Sequence, residues 1–172
     1  MAQRFSTLIN GARKLLEALV ISAGSADSGK IVATGPDGRL DSSVMPVGIG
    51  ADTTQATCSE AIGAGKYVQY HDDAGVFSVR LADNSNGRFA DGFVLEAFAD
   101  SSVATVYPLD AVNTALSALT VGLRYFLGIA GAVTATPLDE EDSANANKIS
   151  QYLGVAKSAT ELITTDDGYV VL

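Results

Sequence analysis

YVQYHDDAGVFSVRL, residues 67–81, is the stretch that decides the fold class. In Val76–Leu81, Phe77, Val79 and Leu81 alternate with Ser78 and Arg80. That period of two belongs to a half-buried strand; a helix would repeat its apolar residues every three or four positions. Tyr67-Val68-Gln69-Tyr70 precedes it, and Asp72-Asp73-Ala74-Gly75 supplies turn residues between the two runs. Together they predict a β-hairpin.

Downstream the pattern continues. Asp83-Asn84-Ser85-Asn86-Gly87 is a turn cluster, and the next strand candidates are Phe93–Phe98 and Val103–Tyr107, split by Asp100-Ser101-Ser102. Residues 111–119 tolerate a helix, but Gly122, Gly128 and Gly131 punctuate the next stretch of chain. Tyr125–Leu127 and Ala132–Ala135 then form a second hairpin around Gly128–Gly131. Strands at 150–156, 161–164 and 169–172 close the chain. Short strands separated by turn clusters predict a mainly β body, a small barrel or sandwich, over residues 51–172.

Upstream, residues 1–50 read as an anchoring arm. Phe5, Leu8, Ile9, Ala12, Leu16 and Leu19 recur at three- and four-residue spacing, predicting an N-terminal amphipathic helix with Gly24 at its C-terminal cap. A helix of about 17 residues is marginal in water, so its stripe needs a covering surface. An extended connector comes next. It holds a short strand at Lys30–Ala33, a turn at Gly35-Pro36-Asp37-Gly38, a return at Arg39–Asp41 and one helical turn from Ser42 ending at Met45-Pro46.

Composition narrows the function. The net charge of −9 opposes nucleic-acid binding, which needs clustered Lys and Arg. The first 21 residues differ, with Arg4, Arg13 and Lys14 against Glu17. Leu15–Gly24, preceded by Arg13 and Lys14, resembles the core of a signal peptide, but Glu17 interrupts the apolar run, so cleavage is not expected. No run reaches the roughly 18 apolar residues of a membrane span.

Catalytic groups are few. Cys58, the single cysteine, reads as a small buried residue, and His71, the single histidine, as a solvated turn residue beside Asp72 and Asp73. The acidic run Asp139-Glu140-Glu141-Asp142 lacks the alternation of a calcium loop and reads as solvated. The expectation is a protein that is not an enzyme, with no catalytic, cofactor or metal residues.

Two stretches resemble phage virion proteins. Gly29-Lys30-Ile31 followed by Gly35–Pro46 is similar to the connector of phage head-fibre and tail-fibre proteins. Leu119–Gly128, Gly131–Pro137 and Gln151–Ser158, with Ala82-Asp83 and Gly92-Phe93-Val94, are similar to a module of capsid decoration (head cement) and fibre proteins. The resemblance spans residues 29–158 with gaps. It implies a non-enzymatic, homo-oligomeric module on the virion capsid surface, made in the host bacterial cytoplasm, with trimers favoured over dimers. Its partner would be the major capsid protein, with neither nucleic acid nor membrane involved. The function so implied is capsid decoration that stabilises the head, with Phe5, Leu8, Ile9, Arg13, Leu16 and Leu19 as contact residues. The alternative is a tail or baseplate module recognising a host glycan, with Tyr67, Tyr70, Tyr107 and Tyr125 as candidate groove residues.

Overall fold

The computed structural model describes residues 4–45 and 52–172, and the chain divides into two units, 1–51 and 52–172. The N-terminal unit corrects one expectation outright. Phe5–Leu19 is not a helix: β1 (Arg4–Ile9) and β2 (Ala12–Glu17) pair as an antiparallel hairpin. The turn is Asn10-Gly11, with φ of 50° and 77°. Asn-Gly is the strongest short-range hairpin signal, because both central residues of such a turn take positive φ. The apolar spacing fitted a helix, and in the two strands the same residues fall on both sides of the ribbon. The two-residue turn decides between them.

Beyond the hairpin, Leu19 bridges Val32 in parallel, and Ser25–Asp27 forms a short 3-10 turn. Lys30–Ala33 is therefore a single bridge rather than a full strand. The turn at 35–38 is present, closed by Gly38 N–H donating to the Gly35 carbonyl at 3.0 Å, and Gly35 N–H donates to the Arg39 carbonyl at 2.7 Å. One helical turn follows at Ser42–Val44, as a 3-10 helix; its expected stop at Pro46 lies outside the described residues.

The second unit is mainly β. Its first half is a closed barrel of β3 (Thr54–Cys58), β4 (Tyr67–Asp73), β5 (Val76–Leu81), β6 (Gly92–Phe93) and β7 (Val103–Pro108). The hairpin expected at 67–81 is β4–β5, in register from Val68↔Leu81 to Asp73↔Val76. Its turn residues Ala74 and Gly75 have φ of 52° and 86°. The barrel closes where β3 pairs β5 in parallel and β7 antiparallel. Ala56, Cys58, Val68, Val79, Ala104 and Val106 are buried in its core. Ile62 and Val94 complete this core, and Tyr70, Leu81 and Phe98 pack against it.

The second half is an open sheet ordered β10 (Val133–Thr134), β9 (Arg124–Leu127), β11 (Ile149–Ala156), β12 (Leu162–Thr164), β8 (Val112–Asn113), with β13 (Tyr169–Val171) also on β11. No helix forms at 111–119; β8 and turns occupy that segment. Likewise 93–98 supplies only the end of β6 and a bridge from Phe98 to Ile62. A large core of Tyr67, Phe93, Leu109, Tyr125, Leu127, Leu153 and Leu162 joins residues of the barrel to residues of the open sheet.

Backbone bonds reinforce this seam. Tyr67 N–H donates to Gly131 O (3.0 Å), Gly131 N–H to Ala82 O (2.6 Å), and Ala82 N–H to Tyr67 O (3.0 Å). Gly131 has φ +66°, and a Cβ there would stand 2.6 Å from the Tyr67 carbonyl. Gly131→Ala is therefore expected to cost about 2–4 kcal/mol, since strain and collision add. Gly75→Ala, with φ +86° but open space around it, should cost only about 1 kcal/mol. Urea unfolding midpoints of the two variants test the ranking.

Candidate functional site

The expected contact residues lie on the hairpin and its exit, but they do not share one face. Cross-strand partners point to the same side of a sheet. The register therefore puts Phe5 with Leu16 and Thr7 with Lys14 on one side; the Ile9 side chain lies outside the described residues. The other side receives Arg4 with Glu17, Ser6 with Leu15, and Leu8 with Arg13. Leu8 and Arg13 are thus separated from Phe5 and Leu16, which the helical reading had placed beside them. Leu15, absent from that stripe, is as exposed as Leu8, at 70% against 71%.

On the first side the hairpin and its exit enclose an open cavity of about 620 Å³ lined by Phe5, Leu16, Leu19 and Val20, with Glu17 and Lys30 among its polar residues. Lys30 is held by Asp27 at 2.5 Å, and Ala23 N–H also donates to that carboxylate. The Lys30 hydrogen bond is the chief cause of an Asp27 carboxyl held below its ordinary range.

No described residue of 4–45 is buried, and Leu8, Leu15, Ile21, Ile31 and Leu40 are exposed. A two-stranded hairpin without a core is marginal in water. Charge sets this unit apart as well. Residues 1–51 carry five basic and four acidic side chains, whereas 52–172 carry six against sixteen.

The body holds the groups that sequence reading examined for chemistry. His71 is not a solvated turn residue. It lies in β4, with Nε2 2.8 Å from Ser59 Oγ and Nδ1 3.1 Å from the Asp72 carbonyl. A carbonyl only accepts, so Nδ1 is the donor in the bond to Asp72, and Ser59 Oγ also lies 3.4 Å from the Val79 carbonyl. The Asp72 carboxylate is occupied by Gly75 N–H at 3.0 Å. The Ser59–His71 bond ties the turn after β3 to β4. Cys58 is 1% exposed, and burial pushes its thiol up, away from reactivity.

The glycan alternative loses two of its four tyrosines. Tyr67 is fully buried, its hydroxyl sealed in without a hydrogen bond of ordinary geometry. Tyr125 is buried with its hydroxyl accepting from Thr120 N–H at 2.9 Å. Tyr70 stacks on exposed Phe77, ring centroids 5.0 Å apart, and Tyr107 on Phe93 at 5.7 Å. In the acidic loop, Asp139 accepts from Glu141 N–H, and Asp142 caps the 3-10 turn Ser143–Asn145. Among the described residues no group of three or more His, Cys, Asp or Glu is gathered as a metal site. None of their helices is long and apolar enough to cross a membrane.

Sequence reading missed the buried polar residues that brace the body. Gln151, 2% exposed, bonds Ala90 through both N–H (2.7 Å) and carbonyl (2.9 Å). Asn84 Nδ2 donates to Leu127 O at 2.9 Å, and Asn113 Nδ2 to Gly65 O at 3.0 Å. Nothing in a turn-rich sequence distinguishes these amides from surface ones.

Two carboxylates respond oppositely to their surroundings. Burial raises Asp83, but hydrogen bonds from Ser85 and Ala130, with Arg88 nearby, outweigh it and hold Asp83 low. Asp91 is raised, by burial first and by Asp166 second, against the opposing bond from Tyr70 N–H.

No family model matches the chain, and no curated protein matches it. Among solved structures it is similar to the N base of the head fibre protein gp8.5 of bacteriophage phi29. That likeness has 15% identity and a TM-score of 0.48, covering 66% of this chain and 92% of that one. It is too slight to assign a function.

A group raised in the folded state disfavours folding once it ionises, so Asp91 weakens the body at neutral pH and ceases to do so as pH falls through its raised value. Asp91→Asn, which keeps an acceptor for Tyr70 N–H, should therefore unfold later than wild type at pH 7. The difference should vanish near the ordinary carboxyl value of 3.8. Thermal unfolding of both proteins across that range measures it.

Proposed function

We propose that this chain is a non-enzymatic structural protein of a bacteriophage head. In this reading it decorates the capsid: the N-terminal unit docks on the outer surface of the major capsid protein shell, and the acidic β-body faces solvent. The observation that carries the proposal is a 51-residue unit whose described part buries no side chain and exposes leucine and isoleucine throughout. Such a segment holds its shape only against a partner. The resemblance of residues 29–46 to phage connectors falls in the same unit.

Phe5, Leu16 and Leu19 gather on the cavity side of the hairpin, and we assign that side to the shell. Covering three such side chains contributes several kcal/mol per copy, at about 25 cal/mol per Å² before ordering costs. The body's excess of acidic groups keeps neighbouring copies soluble and apart at high density.

The test is co-sedimentation with shells stripped of this protein. Leu16→Asp should weaken binding by roughly 30-fold or more, the equivalent of about 2 kcal/mol. Thermal unfolding of the body should be unchanged. Copy number supplies the second measure: decoration requires hundreds of copies per head, and a count of tens or fewer would refute it.

A further inference from the structure

The chain holds two Asn-Gly pairs, Asn10-Gly11 and Asn86-Gly87. In such a pair the backbone nitrogen of the glycine reaches the asparagine side chain unhindered, because no Cβ stands beside it. All four residues are exposed, and a Cβ added at either glycine would meet nothing within 4 Å. Residue type and access therefore make the two pairs equal. They differ in how firmly each turn is held, and ring closure requires the asparagine to leave its turn conformation.

Asn86-Gly87 is tied into the body. Asp83 N–H donates to Arg88 O at 2.7 Å and Arg88 N–H to Asp83 O at 3.2 Å, closing the loop from both ends. The Asp83 carboxylate accepts from Ser85 N–H and hydroxyl within the loop, and from Ala130 N–H outside it. Asn10-Gly11 instead joins two strands in a unit none of whose described residues is buried. Segments without buried contacts open at a small fraction of the cost of global unfolding.

We infer that Asn10 is a deamidation site and that its conversion unfastens the N-terminal hairpin. In the open turn the Gly11 nitrogen loses its proton and bonds to the side-chain carbonyl carbon of Asn10. The bond from that carbon to the amide nitrogen breaks, and ammonia leaves. Water then opens the resulting five-membered imide at one of its two carbonyls, so that one water is consumed and one ammonia released. Opening at the former side-chain carbonyl leaves aspartate, which suits the same positive φ and keeps the turn. Opening at the backbone carbonyl leaves isoaspartate, through which the chain runs by way of the side chain. That adds a carbon to a two-residue loop, and since loop length fixes register, the pairing Ile9↔Ala12 no longer closes. None of this depends on what the unit docks against.

The experiment is peptide mapping of the full chain held in mildly alkaline buffer, native and in urea. Cleavage after arginine separates Phe5–Arg13 from Leu81–Arg88, and fragment masses place each change at its asparagine. Dividing each native rate by the rate of the same asparagine in urea isolates the effect of folding. That ratio should be about tenfold or more higher for Asn10 than for Asn86. Amide exchange of residues 4–17 should rise in step with the isoaspartate fraction, while exchange in β4 and β5 stays as it was. Equal ratios, a higher ratio for Asn86, or an Asn10 that persists in the native chain overturn the inference. So does an isoaspartate-bearing hairpin whose exchange is unchanged.

Discussion

Three backbone hydrogen bonds at Tyr67, Ala82 and Gly131 hold the body together. They join one barrel strand, the exit of the next, and the turn between β9 and β10. The barrel has closed on itself, so its strands have no free edge to offer the second sheet. The connection is made instead by residues just outside the strands, at a separation only glycine permits. The aromatic core of Tyr67, Phe93 and Tyr125 forms around this point. Asn84 and Gln151 bond neighbouring backbone groups of Leu127 and Ala90. Each is a buried amide with its partners present, which makes the seam specific as well as stable.

The two units of the chain solve the burial problem in opposite ways. The body closes a narrow barrel over alanine, valine and cysteine and seals a second core beneath an open sheet. The N-terminal unit has strand pairing but no interior. Backbone hydrogen bonds contribute little net stability in water when no apolar area is removed with them. The contrast leaves the hairpin with exposed leucines on both of its sides.

In the body the groups with the potential for chemistry are engaged in hydrogen bonds of the fold. His71 is bonded to Ser59 and the Asp72 carbonyl, and Asp72 holds its own turn. The body carries the chain's acidic excess, whereas residues 1–51 are close to charge balance.

The β character of the body and the hairpins at 67–81 and 124–134 were legible in the sequence, because strand alternation and turn residues are local signals read within a few positions. The N-terminal hairpin was written there too, in Asn10-Gly11, yet the spacing of Phe5, Leu8, Ile9, Leu16 and Leu19 satisfied a helix as well. Periodicity misled here because a hairpin exposed on both sides has no single apolar face to mark. Closure of the barrel by β3 and β5, the division of the hairpin into two faces, and the burial of Tyr67, Asn84 and Gln151 depend on partners many residues away. Such pairings are set by which surfaces meet once the chain has folded, and only tertiary structure decides that.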